Sequence, residues 1–68
     1  MKYLVKAGGV IKGKFEDEDK AIADMVRQAE AIRTRSKKYV LTNRGRRCVR
    51  VCHVEFGTHF DIRVVEAE

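Results

Sequence analysis

Three short glycine-bearing breaks, Ala7-Gly8-Gly9, Asn43-Arg44-Gly45 and Gly57-Thr58, interrupt runs rich in Val, Ile, Tyr and Phe. Breaks of two or three residues turn a chain straight back on itself, so each predicts an antiparallel hairpin. One stretch has a different period. Ile22, Met25, Val26, Ala29 and Ile32 recur at helical spacing and form an apolar stripe. Glu16-Asp17-Glu18-Asp19 precedes it, with Asp17 placed as N-cap and acids in the first turn, where the helix dipole favours them. Arg33, Arg35, Lys37 and Lys38 close it, where the dipole favours cations. A helix is therefore predicted over 17–36, with Lys20–Asp24 and Glu30–Arg33 as flanking pairs.

The hairpins set strands over 2–7, 10–15, 38–42, 46–56 and 59–65. A two-residue Gly-Gly loop in the first hairpin would pair Lys6 with Ile11. A three-residue loop pairs Val5 with Ile11 and gathers Tyr3, Val5, Ile11 and Phe15 on one side, and it is preferred. Asn43-Arg44-Gly45 has the same form, with Gly last. A two-residue turn at Gly57-Thr58 sets Val51 opposite Val64, His53 opposite Ile62 and Cys52 opposite Arg63. Val49, Val51, Phe60, Ile62 and Val64 then share a core face with Tyr39 and Leu41. The expected fold is α+β: a ββαβββ chain with a mostly antiparallel five-stranded sheet and one helix packed on one face. Strand order is not readable. All 68 residues fit one small domain, which buries only about 60% of its unfolded surface.

One helix covers one face. The other should carry Leu4, Lys6, Val10, Lys12, Lys14, Val40, Thr42, Cys48, Arg50, Cys52, Val54, Phe56, His59, Asp61, Arg63 and Val65. Apolar groups interleaved with Arg and Lys suit a binding or homodimer surface.

Charge is segregated along the chain. Between Glu30 and Glu55 there is no acid, while Arg33, Arg35, Lys37, Lys38, Arg44, Arg46, Arg47 and Arg50 lie there. The remainder is net acidic although the whole is +5. Such polarity suggests an anionic partner approached from one side.

Catalytic and metal-binding patterns are weak. Cys48, Cys52, His53 and His59 match no common zinc spacing, and on a strand Cys48 and His53 point to opposite faces. Cys48 and Cys52 lie about 13 Å apart along a strand, too far for a disulfide. Cys52, His59 and Asp61 share a face, but no elbow or oxyanion-forming helix start accompanies them. Gly8-Gly9 leads into a strand, unlike a phosphate-cradling loop. No cofactor and no metal is expected. Two Cys and no long apolar run suggest a cytoplasmic chain without membrane association.

These features favour a non-enzymatic binding module. Its basic side, the helix C-terminus plus the Arg-rich hairpin, would contact nucleic acid or a ribonucleoprotein. Arg33, Arg35, Lys37, Lys38, Arg44, Arg46, Arg47, Arg50, Phe56 and Arg63 are the candidate binding residues, the two clusters being about 13 Å apart along strand 39–42. The alternative is a protein-binding inhibitor, such as a phage-encoded anti-defence (anti-CRISPR-like) protein. It would block a host complex by setting the same basic and semi-apolar surfaces against an acidic protein surface.

Overall fold

The computed structural model describes residues 2–67. The elements follow the expected order: β1 (Lys2–Ala7), β2 (Val10–Phe15), α1 (Glu18–Arg35), β3 (Tyr39–Gly45), β4 (Cys48–His53) and β5 (His59–Ala67). The strands form one sheet in the order β2-β1-β5-β4-β3, antiparallel at every junction. The first hairpin thus joins the edge left by β5. That makes β1 and β5 interior strands and buries Val5, Ile62 and Val64 between neighbours on both sides.

Asp17 caps α1 as expected, its carboxylate accepting from the backbone N–H of Asp19 at 2.8 Å and of Lys20 at 3.3 Å. The buried line of the helix is Ala21, Met25 and Ala29. Two alanines let the helix approach the sheet, and Met25 reaches the cluster of Val5, Val51, Ile62 and Val64. The helix is therefore rotated from the expected stripe, and Val26 lies on its flank at 45% exposure. Glu30 pairs with Arg33 as expected, but Asp24 takes Arg27 and Gln28 in place of Lys20.

All three expected turns shift, each for a local reason. Gly8 and Gly9 both take positive φ, +58° and +88°, so the first loop has two residues and Lys6 pairs with Ile11. Ile11 consequently leaves the core side. A bulge at Lys12 restores the alternation, and Phe15 and Gly13 again oppose Tyr3 and Val5.

In the second hairpin, the Asn43 side chain accepts from the Gly45 N–H at 3.0 Å. Asn43-Arg44-Gly45 does form a tight bend, but as a bulge within β3, and the chain reverses at Arg46-Arg47. In the third, strand pairing ends at His53, where its N–H bonds the Thr58 carbonyl at 2.8 Å. His53 Nδ1 accepts from the N–H groups of Glu55 and Phe56 at 3.3 and 3.2 Å, and Gly57 closes the loop at φ +71°. A side chain that satisfies loop donors competes with strand continuation. Val54 and Phe56 therefore leave the sheet. Val51 now faces Phe60, and Cys52 faces His59. The shift is even, so Val49, Val51, Phe60, Ile62 and Val64 keep their common face.

Candidate binding surface

α1 spans about 27 Å by its eighteen residues. Its two ends meet different loops of the sheet. Arg33, Arg35, Lys37 and Lys38 lie at the C-terminal end of the helix, beside the 54–58 loop: Lys38 binds Glu55 at 3.0 Å, and its carbonyl accepts from Val54 N–H. Arg46 and Arg47 lie at the other end, beside the helix N-terminus. The expected continuous strip of helix C-terminus plus hairpin is therefore divided. Its halves are separated by the length of the helix.

Nor are Arg46 and Arg47 free cations. Arg46 pairs with Glu18 at 2.6 Å and with Asp19 at 2.8 Å. Arg47 pairs with Glu18 and, at 3.1 Å, with Glu66, and its guanidinium lies 5.6 Å from the Tyr3 ring centroid. The acids at the helix start thus hold the β3–β4 turn against the helix. Hydrogen bonds from Arg46 and Arg47 hold the Glu18 carboxyl below its ordinary pKa. A lowered folded pKa adds stability above the unfolded value and loses it as pH falls through the folded one. Glu18→Gln should accordingly melt lower than the parent at pH 7, with the two curves converging below about pH 4. Thermal melts by circular dichroism at both pH values check this.

The open sheet face is different. Alternation along the strands puts Lys2, Leu4 and Lys6 of β1, Ile11 and Lys14 of β2, Cys48, Arg50 and Cys52 of β4, and His59, Asp61, Arg63 and Val65 of β5 on it. Arg44, projected by its bulge, lines the same groove as Cys48, Arg50, Asp61 and Arg63; Arg47 also borders it, with its guanidinium taken by Glu18 and Glu66. Among the described residues Asp61 is the one acid there, with its side chain 17% exposed. Its Oδ1 accepts from Arg50 Nε at 3.0 Å and its Oδ2 from Arg63 at 2.9 Å. The Arg50 hydrogen bond, then that of Arg63, holds the Asp61 carboxyl below its ordinary pKa. The carboxylate orients two guanidinium groups and leaves the trio net positive. Among the described residues, Lys2, Lys6, Lys14 and Arg44 enter no ion pair. Four unneutralised cations thus flank the oriented pair.

Of the expected binding residues, this face brings together Arg44, Arg50 and Arg63. It leaves Phe56 in the 54–58 loop, and Arg33, Arg35, Lys37 and Lys38 at the C-terminal end of the helix. Lys2, Lys6 and Lys14 complete it. Lys6 and Lys14 are expected on this face from the strand alternation, though not among the binding residues, and Lys2 is not expected there. Both Asp61 oxygens are occupied by arginines, and no hydrogen bond joins His59 to Cys52 or Asp61. Cys48 and His53 face opposite sides of the sheet, and no three His, Cys, Asp or Glu side chains converge among the described residues. Among these residues no helix is long and apolar enough to cross a membrane. No family model, curated protein or solved structure matches the chain.

Proposed function

We propose that this chain is a non-enzymatic binding module that holds the backbone of a nucleic acid against its open sheet face. The observation that supports this is the cation set on that face: Lys2, Lys6, Lys14 and Arg44 without ion pairs, around Arg50 and Arg63 braced by Asp61. A folded domain gains nothing by keeping like charges unneutralised on one side, whereas a polyphosphate neutralises several of them at once. Guanidinium groups held in fixed orientation suit phosphate oxygens, which accept their paired N–H groups. The interior of this face presents no Trp, Tyr or Phe, so backbone binding dominates over base reading. The same charges oppose a homodimer formed face to face, since it would press cations together.

Gel shift with single-stranded and duplex DNA and RNA tests the reading. Binding at micromolar protein in low salt, weakening steeply as salt rises, is expected. Absence of any shift in low salt overturns it, and the inhibitor reading, with an acidic protein surface as partner, takes its place.

A further inference from the structure

Five rings meet at the loop end of the molecule. Tyr39, His53, Phe56, His59 and Phe60 surround one depression of about 390 Å³, within the size range of pockets for small organic ligands. His53 and Phe56 are stacked, with centroids 4.7 Å apart and planes inclined by 24°, and Tyr39 meets His53 edge-on at 5.0 Å. His53 is held by its two loop hydrogen bonds, so the stack is preset. Phe56 is nevertheless 73% exposed, more than any other large apolar side chain of the described residues. A ring braced from behind and open in front is a stacking platform.

The depression meets the cationic face round the end of β5: Tyr39, His53 and Phe60 lie on the helix side of the sheet, and the adjacent His59 on the open side. The groove around Arg44, Arg50 and Arg63 shares Asp61, Arg63 and Val65 with a second hollow that holds Lys6. That hollow shares His59 and Phe60 with the ring depression. A track therefore follows β5 from Val65 to His59, about 20 Å along the strand, and ends at the rings. Cations along the way and a ring platform at the end are the two components by which proteins hold single strands.

We infer that the ligand is a single-stranded nucleic acid, with its phosphates on the open face and one unpaired base stacked on Phe56. This rests on the open-face reading above and adds the strandedness of the ligand. A base inside a duplex has both faces covered by its neighbours and must leave the stack to reach the rings. A single strand offers its bases without that cost. An acidic protein has carboxylates for the cations but nothing that must alternate charge with a flat ring, which is why nucleic acid fits the track better.

Fluorescence anisotropy tests the inference, with a single-stranded oligonucleotide of about ten nucleotides, in the range such grooves occupy, and with its duplex at the same salt. The parent should prefer the single strand. Phe56→Ala should lose about 5-fold to 150-fold on it and little on the duplex, with an unchanged salt dependence. Phe56→Trp, which keeps a ring, should restore binding. A 2-aminopurine in the strand should be quenched by the parent and not by Phe56→Ala. Equal affinity of the parent for single strand and duplex, or a Phe56→Ala variant as tight as the parent, overturns the inference while leaving the open-face reading standing. Failure of the parent to bind either probe in low salt overturns both.

Discussion

Ile62→Asp should abolish the thermal unfolding transition altogether. Ile62 is wholly buried in an interior strand, with Val5, Val51, Val64 and Met25 in the same cluster. Among the described residues no polar or charged side chain is buried in the core, so an introduced carboxylate would find no partner there. An unpaired buried charge costs more than a domain of this size can lose, since its whole stability is about 3–10 kcal/mol. Met25→Ala is the graded companion: it leaves a cavity under the helix and should cost about 2–5 kcal/mol. Val26→Asp, on the exposed flank, should instead be tolerated. Circular dichroism melts of the three variants check the order. A cooperative transition for Ile62→Asp at the parent temperature would refute the packing described for β5.

Replacing Lys6, Arg44 and Arg63 together by Ala should leave the protein folded and remove most of its affinity for single strands. Lys6 and Arg44 have no ion pair to lose, and Arg63 leaves Asp61 still bonded to Arg50. Each phosphate neutralised by a cation releases about 0.7 counterions on a single strand. Without three such cations, binding should be about a hundredfold weaker at 0.1 M salt, one decade below the 1 M reference. Anisotropy titrations give the number directly, and an unchanged melting temperature shows that the effect is not one of folding.

The faces were legible in the sequence and the turns were not. Val49, Val51, Ile62 and Val64 alternate strictly, and alternation survives a register shift of four, so the core side is the same in the expected and the observed pairing. The pairing itself depended on which residues satisfied the loop donors. His53 does so through Nδ1, a role with no signature in residue type alone, and Asn43 through its amide oxygen, which marks a bend but not whether the chain reverses there or one step later. The helix rotation is not legible by hydrophobicity, in which Val26 outweighs Ala21 and Ala29, whereas close approach to a sheet favours the small residues. The Arg-rich segment stands out by density alone. Arg46 and Arg47 are separated from Glu18 by almost thirty positions, and only the fold shows that those acids neutralise them. Lys6, on a strand of ordinary appearance, is left without such a partner.

That contrast supplies the decisive measurement: the slope of log affinity against log salt for a single-stranded oligonucleotide, in three proteins. The parent should show a steep slope. Lys6→Ala/Arg44→Ala/Arg63→Ala should flatten it by about two units, since each of the three cations accounts for about 0.7. Arg46→Ala/Arg47→Ala, which removes two guanidinium groups already paired with Glu18, Asp19 and Glu66, should melt at a lower temperature and keep the parent slope. A parent slope retained by the triple variant, or a slope lost by the double variant, would contradict the assignment of the open sheet face as the binding surface.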